Sequence, residues 1–227
     1  MALFTGIVGD TGSGKSRSIV NLDPESTVIF NVLRKELPFK GASKYVEGKN
    51  MFYIQNYEEL KAKLVQINSG QKIKTIVIDD MRFLMIKEFF SKALETGYTK
   101  FTVLAKNFQT LLELISQLKK GLYVFGFLHD EDVTNDKIIV SKKLKLIGKL
   151  LDEQYNPIET MTICLWCKPE ITKDTAKYQF ITNRCLVNGI EIPAKSPEGM
   201  FVNEEGNPLL NIPNDLALVV KAIEDYF

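Results

Sequence analysis

Gly9-Asp10-Thr11-Gly12-Ser13-Gly14-Lys15-Ser16 constrains this chain more than any other stretch. It satisfies the spacing G-x-x-x-x-G-K-[ST]. In that pattern the glycines let the backbone curl until several N–H groups converge on phosphate oxygens. Lys15 then neutralises β/γ-phosphate charge and the Ser16 hydroxyl is a ligand for Mg²⁺. Asp10, Thr11, Ser13 and Arg17 complete the candidate nucleotide contacts. At this glycine and lysine usage the fixed positions coincide by chance in roughly 1% of such chains. The loop also needs a buried strand before it and a helix after it. Ala2–Val8 (ALFTGIV) reads as the strand, and Gly14–Val20 has the composition to begin the helix.

The rest of the chain repeats that alternation. Ser26–Val32, Met51–Ile54, Lys74–Asp80 and Leu122–Leu128 read as buried strands. Tyr57–Ile67, Arg82–Glu95 and Phe101–Lys120 carry apolar residues at helical spacing. Thr160–Lys168 and Tyr178–Thr182 suggest a hairpin, and Pro213–Phe227 a final helix with Asn211 or Asn214 near its start. Between them, Lys137–Tyr155 reads as an amphipathic, lysine-rich segment after a polar turn. Apolar strands alternating with helices indicate an α/β fold around a mainly parallel sheet. The expected organisation is a single domain over residues 1–227. Its core spans about 1–168, and a C-terminal hairpin, loop and helix span about 169–227.

Two further positions join the loop by chemistry. A phosphate-binding site of this kind needs a carboxylate at the end of a buried strand to hold the Mg²⁺ shell. Ile76-Val77-Ile78-Asp79 supplies one. Asp80 either polarises the attacking water or caps the helix that follows. His129, the lone histidine, stands at the carboxyl end of LYVFGFL, the edge where open α/β sheets bind ligands. It is a candidate γ-phosphate sensor.

Composition excludes more than it selects. With 29 basic against 28 acidic residues, no whole-molecule charge favours a polyanion, so any nucleic-acid surface must be local. No apolar run approaches the ~20 residues of a membrane span, and MALFTGIVGD lacks the layout of a signal peptide, so a cytoplasmic location and no membrane partner are expected. Cys164 and Cys167 fall on opposite faces of a strand-like segment with no second ligand pair in sequence, which favours core packing over zinc.

GDTGSGKS, TIVIDD and VFGFLHD, taken in order, resemble the RecA-like branch of P-loop ATPases. KELPFKG, IGKLLDEQYN and YQFITN…IPAKSPEGMF resemble the single-domain phage proteins of that branch that act in single-strand annealing or recombination. The resemblance implies a RecA-like core and Mg²⁺-dependent ATP hydrolysis. It implies Lys15, Ser16, Asp79 and His129 at the site, and assembly as a homo-oligomer, in the host cytoplasm if the chain is of phage origin. It also implies that Lys195 extends into a neighbouring subunit's nucleotide. RecA places a catalytic glutamate after its second strand. Glu36 is the nearest counterpart here, in a Pro-flanked loop.

The same resemblance points to single-stranded DNA, contacted by loops near Glu95–Lys100 and Asp130–Lys149. The latter carries Lys137, Lys142, Lys143, Lys145 and Lys149 with no acid between the first and last. Its alternative is a solvated helix face above Leu144, Ile147 and Leu151. A small-molecule or nucleotide kinase is the competing enzyme. Such enzymes clamp phosphates with several arginines, and this chain has four: Arg17, Arg34, Arg82 and Arg184. A nucleotide-dependent loading factor with a protein partner is a third reading.

Overall fold

The computed structural model describes residues 1–227, apart from the side chains at 152 and 153. Its strands and helices, in chain order, are β1 (Leu3–Val8), β2 (Thr27–Asn31), β3 (Met51–Tyr53), α1 (Tyr57–Ser69), β4 (Thr75–Asp79), α2 (Arg82–Ser91), α3 (Thr99–Gln117), β5 (Tyr123–Leu128), β6 (Asp130–Asn135), β7 (Ile138–Leu144), α4 (Pro157–Thr160), β8 (Ile163–Ile171), β9 (Ala176–Ile181), β10 (Cys185–Val187), β11 (Ile190–Ile192), β12 (Asn211–Pro213) and α5 (Leu216–Tyr226).

Eight strands form the main sheet in the order β12-β9-β8-β1-β5-β4-β2-β3, and four more form a second sheet, β10-β11-β7-β6. From β8 across to β3 every pairing is parallel; β9 and β12 join antiparallel. β2 and β4 are buried along their whole length, the pattern of strands covered on both faces. One apolar core lies between the sheet and α1, α2 and α3 and includes Leu60, Leu84, Phe108 and Ile115. The other lies under α5 and includes Ile19, Phe125, Phe180 and Val219. Cys164 packs into the first and Cys167 into the second, so the two thiols face opposite ways. This is the expected α/β architecture around a mainly parallel sheet, with the β8–β9 hairpin at its C-terminal side.

Parallel strands share one carboxyl edge, and that is what places the site. Val8 is level with Leu128 on β5, and Asn31 on β2 is level with Asp79 on β4. The residues that follow β1, β2, β4 and β5 therefore meet above a single edge of the sheet.

Several expectations fail for local reasons. The helix after the phosphate loop is a four-residue 3₁₀ turn, Ser16–Ile19, so little helix dipole backs the loop. Asp80 does not cap α2, whose first turn has no side-chain cap. The final helix starts at Leu216 and not at Pro213, capped by Asp215, which accepts from the Ala217 N–H.

The lysine-rich segment departs furthest from its expected form. Its first half is β7, paired antiparallel with β6, so the supposed polar turn is itself a strand. Asn135 pairs with Ile138, leaving Asp136 and Lys137 as a two-residue loop at φ 48° and 68°. Two positive φ values are what a type I′ hairpin turn requires. Leu144 and Leu151 are buried as expected of that segment.

Candidate nucleotide site

Lys15 lies almost wholly inside the loop it belongs to. Its Nζ donates to the Gly9 carbonyl at 2.6 Å and to the Asp10 carbonyl at 2.8 Å, which fixes the ammonium across the mouth of the loop. Burial lowers its pKa, opposed by the nearby carboxylates Asp80, Asp130 and Asp79. Gly14 sits at φ 97°, and a Cβ there would come within 2.6 Å of the Tyr178 ring. A side chain at Gly9 would lie 2.5 Å from Ser13 Oγ. The loop can close this tightly only with glycine at both positions.

Ser16 and Asp79 come together as the spacing implies. Ser16 Oγ donates to the Asp79 carboxylate at 3.0 Å and 3.2 Å. Burial, and then the neighbouring Asp80 charge, push the Asp79 pKa up to about 6. A hydroxyl and one carboxylate, completed by phosphate oxygens and water, form a donor set suited to Mg²⁺, which seldom takes an all-protein cage. Among the described residues no group of three or more His, Cys, Asp or Glu could hold a metal without such help.

These residues line a cavity of about 370 Å³ with Thr11, Gly12, Gly14, Arg17, Lys35, Glu36, Pro38, Asp80, His129 and Tyr178. Lys35 and Glu36 enter it from a turn fastened by Asn31, whose side-chain amide donates to the Lys35 carbonyl at 2.7 Å. The Asn31 oxygen in turn accepts from the Lys35 N–H at 3.3 Å. His129 reaches the same cavity from the end of β5. Burial, and then the Lys15 charge, lower its pKa, so it is neutral at physiological pH. Its Nδ1 is buried without a partner. On the far rim the Arg17 guanidinium stacks on Tyr178 at 5.2 Å. Tyr178 carries no motif that sequence reasoning could have used. Only the antiparallel fold-back of β9 on β8 brings it over the loop.

Lys195 is placed elsewhere. Its backbone exchanges hydrogen bonds with Cys164, at 2.8 Å and 2.9 Å, which extends the sheet beside β8. It is half-buried and does not line the cavity of its own chain. A larger hollow of about 540 Å³ lies at the opposite edge, among Leu3, Leu122, Ile223 and Phe227. It lacks the convergence of charged groups that marks the smaller one, so size does not locate the chemistry.

The lysine run meets acids from across its hairpin. Lys142 lies 2.5 Å from Asp132 and 3.6 Å from the buried Asp130, and Lys143 lies 3.4 Å from Glu131. Asp130 also accepts from Trp166 Nε1 at 3.2 Å. A different surface stands out between α2 and α3. Phe90, Leu94 and Tyr98 are exposed there, Leu94 by 99% and Tyr98 by 87%. Lys100 lies over the Phe89 and Phe101 rings at 5.6 Å and 5.7 Å.

No protein-family model matches this chain, and no curated protein matches its sequence. Among solved structures it is similar to the crystal structure of a KaiC-like protein from the hyperthermophilic archaeon Pyrococcus horikoshii OT3. Identity is 14%, coverage is 79% of this chain and 77% of that chain, and the TM-score is 0.43. No helix among the described residues is long and apolar enough to cross a membrane.

Proposed function

We propose that this protein binds Mg²⁺·ATP at the carboxyl edge of β1, β4 and β5, hydrolyses it, and couples turnover to single-stranded DNA. The observation that carries the nucleotide reading is the meeting of Lys15 with the Ser16–Asp79 pair inside one cavity, from positions 63 residues apart in the chain. Ser16 and Asp79 would hold Mg²⁺, which would offset the charge of the β- and γ-phosphate oxygens. Lys15 neutralises the same oxygens, and the loop N–H groups seat the β-phosphate. Neutral His129 offers a ring N–H toward the γ-phosphate without needing a proton from solvent.

Hydrolysis forms a bond from water oxygen to the γ-phosphorus and breaks the bond to the β,γ-bridging oxygen, releasing ADP and phosphate. In this reading Glu36, which lines the cavity beside Lys35 on the turn that follows β2, would accept the water proton. The kinase alternative lacks its clamp. Arg34 stacks on Tyr53, Arg184 pairs with Glu191, Arg17 stacks on Tyr178 and Arg82 does not line the cavity, so only one of the four arginines reaches it.

The DNA reading is supported by the exposed aromatics Phe90, on α2, and Tyr98, at the start of α3; α2 begins two residues after Asp80, which lines the cavity. Stacking on Phe90 and Tyr98 would contribute ~1–3 kcal/mol per base, and nearby lysines would add salt-sensitive phosphate contacts. The test is steady-state ATP hydrolysis with and without oligo-dT across a range of salt. Stimulation that fades with salt supports the coupling. Hydrolysis already maximal without DNA removes it, and rapid phosphorylation of a nucleoside monophosphate establishes the kinase instead.

A further inference from the structure

A phosphoryl-transfer site that works without a neighbour needs its own cation at the γ-phosphate, beyond the lysine of the loop. Among the described residues lining the cavity, the cationic side chains are Lys15, Arg17 and Lys35. Lys15 is that loop lysine, held across the mouth of the loop, and Arg17 stacks on Tyr178 on the outer rim. Lys35 differs from both.

Its backbone is held on both sides by Asn31, itself buried, so the stem of the side chain starts from a fixed point. Its ammonium lies 3.1 Å from Asp80 and 5.8 Å from the centre of the Phe83 ring. Phe83 in turn packs edge-on against His129, with ring centres 6.0 Å apart. Lys35 thus contacts Asp80 directly and meets His129 through Phe83, in the cavity that Asp79 also lines. The residues that aim this contact, Arg34 and Asp80, both adopt left-handed backbone conformations, at φ 56° and 58°. Non-glycine residues take that region only at a cost, and such strain concentrates at functional sites.

Its partnership with Asp80 is easily exchanged. The Lys35 side chain is 64% exposed, and an ion pair so open to solvent contributes little. A phosphate oxygen offers a shorter, stronger charge-assisted bond with more negative charge.

Resting on the reading of this cavity as a nucleoside triphosphate site, we propose that Lys35 is the chain's own γ-phosphate cation. In the free protein it neutralises Asp80. When a triphosphate enters, the ammonium swings to the γ-phosphate and leaves Asp80 uncompensated beside the position of the attacking water. The site then needs no basic residue from a neighbouring subunit to complete the charge. The motif-based reading missed Lys35 because its place depends on the Asn31 turn and on the sheet register that sets Asn31 level with Asp79.

The test compares Mg²⁺·ADP with the β,γ-imido analogue of Mg²⁺·ATP by calorimetry, on the intact wild-type chain and on Lys35→Ala and Lys35→Arg. Lys35→Ala should lose ~10-fold in affinity for the triphosphate while ADP affinity changes less than ~2-fold, because only the γ-phosphate touches Lys35. Lys35→Arg should keep the triphosphate preference within ~3-fold of wild type. Turnover by Lys35→Ala should fall by ~10³-fold or more, and wild-type specific activity should not depend on protein concentration. Equal losses for both nucleotides would assign Lys35 a structural role and overturn the proposal. So would unchanged affinity for both, or loss of the preference in Lys35→Arg. Wild-type activity that rises with protein concentration alongside an active Lys35→Ala would overturn it as well. If the wild type bound neither nucleotide, the nucleotide reading itself would fail, which is a separate result.

Discussion

The phosphate loop and the lysine-rich hairpin make opposite uses of charge. The loop region holds few cations, but the fold sets where each starts: the Lys15 ammonium by two carbonyls, the Lys35 backbone by Asn31. The hairpin from Lys137 to Leu144 is dense in lysine, yet Lys142 and Lys143 are answered by acids of β6 across the ladder. A count of charges favours the second region as a polyanion site, and the geometry favours the first. What a cation can bind depends on which partners the fold has already given it.

The strongest way to break this contrast is Lys15→Ala. Nucleotide affinity should fall by roughly 10²–10³-fold, the scale of a lost preorganised donor at a developing charge, as read by equilibrium binding. Unchanged affinity would place the site elsewhere.

Asp79→Asn sharpens the comparison, because it separates function from stability. Mg²⁺-dependent binding should disappear while the nucleotide-free protein becomes more stable. Asp79 has its folded-state pKa raised from 3.8 to about 6. The folded chain therefore binds that proton more tightly than the unfolded chain. The ionised carboxylate costs stability fully above the folded value, and the cost vanishes as pH falls below the unfolded one. Removing the charge should stabilise the protein by about 3 kcal/mol at pH 7 and by almost nothing near pH 3.5, in denaturant titrations without nucleotide. Stabilisation that did not shrink as pH falls would contradict the assigned cause.

On the hairpin, Lys142→Ala should destabilise the fold by ~2 kcal/mol, since it strips a counter-charge from the buried Asp130. Oligo-dT affinity should change less than ~2-fold, because the lost cation was already paired. Tyr98→Ala should do the reverse, weakening oligo-dT by ~5-fold or more with little effect on the melting temperature. A larger DNA effect from Lys142 than from Tyr98 would return the lysine run to the DNA surface.

These two regions were not equally legible in the sequence. The loop is contiguous, and its chemistry dictates both residue types and spacing, so Gly9–Ser16 could be read directly. Asp79 followed because a buried strand ending in a carboxylate is a local pattern. Lys35 and Tyr178 were hidden, since each reaches the cavity only through a non-local pairing, β2 on β4 and β9 on β8. The hairpin's segment carries a helical alternative because Leu144, Ile147 and Leu151 match a helical spacing. A competing signal was present in Ile138-Ile139-Val140, a β-branched run directly after Asn135-Asp136-Lys137. Such residues pack well on a pleated ribbon, and Asp136 tolerates the left-handed conformation of the turn. The missing partners of the lysines lay in Asp130–Asp132, which a strand register brings opposite them and a helix could not.

The central claim is that one sheet edge assembles Lys15, Ser16 and Asp79 into a Mg²⁺-dependent nucleotide site. Calorimetric titration of the wild-type chain with ATP, with Mg²⁺ and then with chelator, tests it most directly. The account predicts one nucleotide per chain, bound in the presence of Mg²⁺ and lost with the chelator. Absence of binding, or binding equally strong without Mg²⁺, would contradict it.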